Sequence, residues 1–383
     1  MEDMYRQEDL QMMLEEFVSQ SQRRDASLAW FESLLGVWSA TIETGDTVLV
    51  VEMGGSRFRM AVGQLQNGMV TWLAEPMMSL PKNEHSDAEA FMDWLVDEVL
   101  DLTALYQPKI FSLILSYPHK VWKDGDDITG QVTAQTKGLR VPGIEQMDIA
   151  AAVKQRLPEI ERVVVLNDAT ALVLSEQAAQ MGLIVGTGGN IGAIHPESNW
   201  VCNVEAGNFD GIVMSEAIRV VDAEEHSGRQ LMEKASTGRY LRQILWEEAK
   251  LRRFSESELG KLQVWLEQEG SAGVDALAAD RAVTLGWIEE SLQELRELAG
   301  GGMTRSAQLW GMAVAGVLDL NQITGMTRLP VTGGVILNND WYQEILIQTV
   351  DDLVGVKVEI VEIVDPITGG VVAANVMKSQ SID

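Results

Sequence analysis

The sequence predicts an α/β protein of two lobes with a ligand cleft between them, and three observations carry that prediction. Apolar runs of strand length alternate with stretches of helical periodicity along most of the chain. At 383 residues and 46% apolar content the chain exceeds one ordinary core. Its two halves each contain a glycine turn between strands, Gly54-Gly55 and Gly186-Thr187-Gly188-Gly189, as a duplicated lobe would.

Residues 4–37 place apolar side chains such as Leu10, Met13, Leu14 and Phe17 at helical spacing, which predicts an amphipathic helical region bracing the body. The runs Thr47–Val51 and Phe58–Leu65 around Gly54-Gly55 read as a β-hairpin. A helix over Asp87–Leu102 leads to a buried strand, Ile110–Leu115, which Ser116-Tyr117-Pro118 ends. A loop rich in Gly and Asp then precedes a helix near Met147–Leu157 and the strand Val163–Leu166. Asn167-Asp168 stands between that strand and a helical run from Ala169, where α/β proteins place working residues.

Strands follow at Leu183–Val185, Ile191–Ile194 and Trp200–Asn203, and helices dominate from Ile212 to Leu320. The strand Leu329–Val331, the helix Asn339–Leu353, the strand Lys357–Val361 and a helix after Pro366 close the chain. The expected division puts 46–166 in one lobe and 1–45 with 167–383 in the other, the last helix packing back on the first lobe.

Composition narrows the function. A formal net charge of −28 repels nucleic-acid phosphates, so nucleic acid is excluded as a partner. A nucleotide ligand would have to be held locally, by backbone amides, a few basic side chains and Mg²⁺. One cysteine, Cys202, leaves no disulfide framework and fits a reducing compartment. The acidic first residues lack the pattern of a secretory signal, and no run of about 18 apolar residues suggests a membrane span. A cytoplasmic protein that does not engage a membrane is expected.

Several residues could carry chemistry. The pair Gly54-Gly55, followed by Ser56 and Arg57, lets backbone amides approach a phosphate, although a tight hairpin needs glycines equally. Gly186-Thr187-Gly188 repeats the device with a hydroxyl added. Asp168, at a strand end, could accept a hydroxyl proton during phosphoryl transfer; a helix N-cap is the other use of Asn167-Asp168. Lys137 could neutralise phosphate charge or be an exposed loop lysine, and Glu205 and Glu233 read alone are solvated acids.

Taken in order, these segments resemble the hexokinase family of the actin-like sugar kinases, from about Ser27 to the final helix. The family's Asp-Leu-Gly-Gly-Thr-Asn-Phe-Arg is similar to Glu52-Met53-Gly54-Gly55-Ser56-Arg57-Phe58-Arg59, and its Ser-Phe-Pro to Ser116-Tyr117-Pro118. Thr136-Lys137-Gly138-Leu139 resembles Thr-Lys-Gly-Phe, and Asn167-Asp168-Ala169 resembles Asn-Asp-Thr. Gly182 to Asn190 reproduces Gly-Leu-Ile-Val-Gly-Thr-Gly-x-Asn. Asn203-Val204-Glu205-Ala206-Gly207 is similar to Asn-Thr-Glu-Trp-Gly, and Leu231-Met232-Glu233-Lys234 to Leu-Tyr-Glu-Lys. Arg305-Ser306-Ala307 and Thr332-Gly333-Gly334 resemble the adenosine-side helix and loop.

The resemblance implies two actin-like, ribonuclease H-like lobes and ATP-dependent phosphorylation of a hexose, glucose above all, at its 6-hydroxyl. It implies Asp168 as general base assisted by Lys137, and a sugar site of Ser116, Thr136, Lys137, Asn167, Asp168, Asn190, Glu205 and Glu233. ATP with Mg²⁺ would be held by Gly54, Gly55, Ser56, Arg57, Gly186, Thr187, Gly188, Gly333 and Gly334, with Glu52 reaching the metal through water. Relatives with a structural zinc carry a cysteine cluster, which Cys202 alone does not supply. Glu52 for Asp, Arg57 for Asn, Ala206 for Trp and a somewhat shorter chain depart from the family pattern. A sugar-binding regulator with little kinase activity is the alternative they leave open.

Overall fold

The computed structural model describes residues 4–23, 27–28, 30–36, 44–55, 57–135, 138–252, 254–281, 289–363 and 365–380. In chain order the elements begin with α1 (Gln7–Ser21), β1 (Phe31–Gly36), β2 (Thr44–Met53), β3 (Phe58–Gln66) and β4 (Met69–Ser79). There follow α2 (Ala88–Tyr106), β5 (Ile110–Leu115), β6 (His119–Asp124), β7 (Asp127–Val132), α3 (Ile149–Arg156), β8 (Arg162–Asn167) and α4 (Asp168–Leu174). Next come β9 (Met181–Val185), β10 (Gly189–Ile194), β11 (Trp200–Asn203), α5 (Glu216–Glu224), α6 (Leu231–Ser236), α7 (Gly238–Leu251), α8 (Glu256–Glu269) and α9 (Ser271–Ala278). The chain ends with α10 (Glu289–Leu320), β12 (Met326–Thr332), α11 (Gly334–Leu337), α12 (Asp340–Val354), β13 (Lys357–Glu362) and α13 (Thr368–Gln380).

Two compact units result. Unit 2 comprises Phe31–Gly182, Gly192–Asn203 and Ile363–Asp383; unit 1 comprises Met1–Trp30, Leu183–Ile191 and Val204–Glu362.

Unit 2 is built on a seven-stranded sheet of order β4-β3-β2-β5-β8-β7-β6. Its centre, β2, β5 and β8, is parallel, and β3 and β4 continue from β2 as an antiparallel meander. All six residues of β5 are buried, which explains why Ser112 is its one polar residue: a parallel strand covered on both faces has no solvent side. One face packs against Phe91, Leu95 and Val99 of α2 and Val153 of α3. The other packs against Ala171 and Val173 of α4 and Val371 and Val372 of α13. α13 comes so close that a Cβ added at Gly369 would lie 1.8 Å from the Ala171 carbonyl oxygen. Asp87 and Asp148 cap α2 and α3 by accepting from the amides of Ala90 and Ala151.

Unit 1 is organised by the 32-residue α10, whose second half, including Trp310, Met312, Val314 and Val317, is almost wholly buried. Glycines set its close neighbours. A Cβ at Gly311 would meet Thr349 and the Leu346 carbonyl of α12, and one at Gly316 would meet the Phe17 ring of α1. β12 runs parallel to both β13 and β9.

Three local expectations are overturned. The helical region predicted over 4–37 ends at Ser21, and Phe31–Gly36 is a strand paired antiparallel with β11. Within it Ser33 and Leu35 alternate inward, a period of two that the short apolar run hides, so tertiary pairing overrides local pattern. The Gly- and Asp-rich loop after Pro118 contains a hairpin, β6–β7, in which Asp124 pairs with Asp127 across a two-residue turn. Gly125 supplies its positive φ of 57°. Met69–Ser79, for which no element was expected, is the edge strand β4. No described helix is long and apolar enough to cross a membrane.

Candidate functional site

In unit 2 the register of the central strands fixes the site. β5 pairs with β2 so that Leu115 stands opposite Met53, and with β8 so that Leu115 stands opposite Asn167. The next residue of each strand, Gly54, Ser116 and Asp168, therefore lies in one row at the carboxyl edge of the sheet, where open α/β sheets bind ligands. The row is close-packed. The Ser116 amide donates to the Met53 carbonyl at 3.0 Å, and a Cβ added at Gly54 would stand 3.2 Å from Ser116 Oγ.

Backbone and side-chain bonds hold each member. The Gly54 amide closes the hairpin on the Arg57 carbonyl at 2.9 Å. Asn83 ties the turn to the next strand end, its Nδ2 donating to the Gly55 carbonyl at 3.0 Å and its Oδ1 accepting from Tyr117 Oη at 3.0 Å. Asn167 caps α4: its Oδ1 accepts from the Ala169 amide at 2.8 Å while its Nδ2 donates to the Leu115 carbonyl. Asp168 Oδ1 accepts from the same amide at 2.9 Å. The capping role and a working role thus fall on neighbouring residues. Asn167 is buried; Asp168 is half-buried.

Glu52 is buried and ion-paired with Arg59, directly across the β2–β3 ladder. Arg59 also donates to Asp365 at 2.8 Å, just before α13. Burial pushes the Glu52 carboxyl above its usual range; Arg59 opposes this, and the Asp168 charge adds to it. Arg57 is exposed. Ser56, Thr136 and Lys137 lie outside the described residues.

Unit 1 holds the other group of predicted residues. Glu233 projects from the first turn of α6 toward two glycines: an added Cβ would meet its carboxylate at 3.1 Å from Gly188 and 3.2 Å from Gly207. Glu205, just before Gly207, adopts a left-handed backbone (φ 52°, ψ 39°), and the following Ala206 amide donates to Asn190 Oδ1 at 3.2 Å. Asn190, Glu205 and Glu233 are therefore gathered around the glycine turn. All three are half-buried. Gln230, which sequence reasoning did not single out, donates to Glu233 Oε2 at 3.2 Å. Its only signal was its place three residues before Glu233.

The second glycine turn is a contact of bare backbones. Gly186 and Gly333 approach so closely that a Cβ on Gly186 would sit 3.4 Å from the Gly333 Cα, and one on Gly333 2.4 Å from the Val185 carbonyl. Gly333 has a φ of 108°, open only to glycine. The Gly186 and Thr187 carbonyls accept from the first amides of α7, Gly238 at 2.8 Å and Arg239 at 3.1 Å. Gly334 opens α11. Behind them Ser306 Oγ donates to the Ser236 carbonyl at 2.6 Å and meets Tyr342 Oη.

Behind Glu233, the buried Lys234 ammonium donates to Asp222 at 2.7 Å and to the His226 carbonyl. Burial pushes Asp222 upward, but Lys234, Ser227 and the Gly228 amide together hold it below the usual carboxylate range.

Two family models and several solved structures are similar to this chain. A family model described as hexokinase matches residues 180–377, and a second of the same description matches 4–178. A crystal structure of a hexokinase is similar at a TM-score of 0.78 and 18% identity, covering 96% of this chain and 93% of its own. The hexokinase of Schistosoma mansoni, solved with glucose, gives 0.74 and 17%, covering 97% and 95%. A ROK family glucokinase from Streptomyces griseus, solved with glucose and AMPPNP, gives 0.52 and 17%, covering 86% and 98%. No curated protein matches by sequence. At such identities the structural likeness establishes the fold, two actin-like α/β lobes.

Proposed function

We propose, from the premise that the chain belongs to the hexokinase family, a set of roles by which its residues phosphorylate a hexose. The family makes it a sugar kinase that transfers a phosphoryl group from ATP. The finer reading is that glucose is the hexose, its 6-hydroxyl the acceptor and Asp168 the general base. The observation that carries it is the row formed by Gly54, Ser116 and Asp168 beyond the aligned ends of three parallel strands. A glycine turn, a hydroxyl and a carboxylate in that row suit a phosphate, a sugar hydroxyl and the proton it loses.

Ser116, Thr136, Lys137, Asn167, Asp168, Asn190, Glu205 and Glu233 would hold the sugar, Lys137 also assisting catalysis. A hexose is a ring of hydroxyls, each both donor and acceptor, and carboxylates with amides pair them in fixed directions. The phosphates would be held by Gly54, Gly55, Ser56 and Arg57 and by Gly186, Thr187, Gly188, Gly333 and Gly334. A Mg²⁺ travelling with ATP would neutralise phosphate charge. The Asp168 charge helps to raise the Glu52 carboxyl, so two carboxylates lie near enough to share the field of a hydrated cation. Glu52 is already engaged by Arg59, so any metal role runs through water. The cytoplasm is the proposed setting, in keeping with one buried free cysteine.

A coupled assay of ADP formation against a panel of hexoses, with and without Mg²⁺, tests the reading. Mg²⁺-dependent turnover highest with glucose is expected. Turnover with no hexose of the panel would overturn it.

A further inference from the structure

The N-terminal helix of unit 1 meets one short stretch of chain far away in sequence. The Phe17 ring stands edge-on to Phe209, centroids 5.3 Å apart at 65°. Gln20 Nε2 donates to Asp210 Oδ1 at 2.6 Å, and Tyr5 Oη to the Val213 carbonyl at 2.9 Å. The Val213 amide reaches Met13 Sδ at 3.4 Å, and a Cβ added at Gly211 would meet Glu16 at 2.8 Å. Contacts to residues 209–213 thus run from Tyr5, just before α1, through Met13, Glu16 and Phe17 to Gln20 near its end. This stretch has no strand or helix of its own before α5.

Backbone bonds tie the start of the same stretch to the chain beside both residues assigned to the sugar. The Asn208 amide donates to the Glu205 carbonyl at 2.9 Å and the Phe209 amide to that of Ala206 at 3.1 Å. The Met232 amide, next to Glu233, donates to the Phe209 carbonyl at 3.1 Å. Glu205 holds a left-handed backbone that a residue with a Cβ keeps only where its surroundings impose it. α1 is in turn fixed to α10: Phe17 lies against Gly316, and the Tyr5 amide donates to Gln308 Oε1 at 3.0 Å.

We propose that α1 positions the hexose-binding carboxylates, with Phe17 and Gln20 holding residues 209–213 and through them Glu205 and Glu233. This rests on the reading of those two carboxylates as hexose ligands. Neither Phe17 nor Gln20 touches substrate; each acts by fixing the turn that carries Glu205. Loosening that turn weakens the match to sugar hydroxyls directly, whereas the phosphates are held in addition by Gly54, Gly55 and the Gly186–Gly333 contact.

The test uses the full chain with Phe17→Leu, Gln20→Ala, Asp210→Ala and the double variant Gln20→Ala/Asp210→Ala. Glu205→Gln serves as site reference, and Gln11→Ala, on the exposed face of α1, as surface control. KM for the hexose should rise roughly 5- to 50-fold in Phe17→Leu and Gln20→Ala, the scale that displacements of about 1 Å produce. KM for ATP should stay within about twofold, and Gln20→Ala with Asp210→Ala should cost less together than the two apart. Unchanged hexose KM in both α1 variants, with a raised one in Glu205→Gln, overturns the proposal and leaves the site reading intact. Parallel loss in both KM values and kcat, tracking a lower Tm, overturns it as mere destabilisation. Unchanged hexose KM in Glu205→Gln removes the site reading and the proposal with it.

Discussion

Arg59 faces Glu52 across the β2–β3 ladder, and its guanidinium reaches on to Asp365 before the last helix. The carboxylate that departs from the family's aspartate by one methylene is therefore one end of a three-residue bridge, buried at Glu52 and Arg59 and half-buried at Asp365, between the first glycine turn and α13. The longer side chain is matched to its partner.

Shortening or unpairing that bridge should be harmful. Glu52→Asp draws the carboxylate back from Arg59 and should lower both Tm and turnover. Arg59→Met leaves a buried carboxylate unpaired, at a cost of about 3–5 kcal/mol in chemical denaturation. The pH dependence has a definite sign. Because the Glu52 pKa is raised in the folded state, the protonated form favours folding. That contribution is present below the ordinary glutamate pKa and is lost as pH rises through the folded value. Wild-type stability relative to Glu52→Gln should accordingly fall as pH rises from about 4.3 upward. A difference that is flat or rises with pH would contradict the burial argument.

Glu205→Gln and Glu233→Gln should each weaken the hexose by about 1–3 kcal/mol, since an amide presents donors where acceptors were matched. ATP affinity should change little. Calorimetry of both ligands separates the two, and equal losses for hexose and ATP would argue against sugar-specific roles.

Cys202 should be inert in the native protein. Burial, with the Glu32 charge beside it, pushes its thiol up to about 12. Iodoacetamide at pH 8 should label the folded protein slower than the urea-unfolded one by about three orders of magnitude, because the thiolate is the reacting form. Comparable rates would mean that β11 opens readily.

What the sequence made legible follows from how local each signal is. The largely apolar run of β5 and the polar pair at the end of β8 are properties of neighbouring residues, and both lie where they were expected. The predicted carboxylates could be named through the resemblance, but their gathering depends on backbone turns, such as the left-handed Glu205, that no periodicity encodes. β1 carries no local strand signal because its partner strand, β11, lies more than 160 residues away. Arg59 with Asp365 is hidden for the same reason, its partners 306 positions apart, and so is Gln20 with Asp210, 190 apart. β4 was missed because an edge strand exposing Met69, Leu73 and Met78 lacks the polar outer face that marks a half-buried strand.

Asp168 is the proposed base for the sugar hydroxyl proton, and the most direct measurement of that role is steady-state turnover of Asp168→Asn beside calorimetric hexose binding. Loss of a general base should lower kcat by roughly 10²–10⁴-fold with hexose affinity nearly unchanged. Turnover within a few-fold of wild type, at normal sugar affinity, would contradict the assignment.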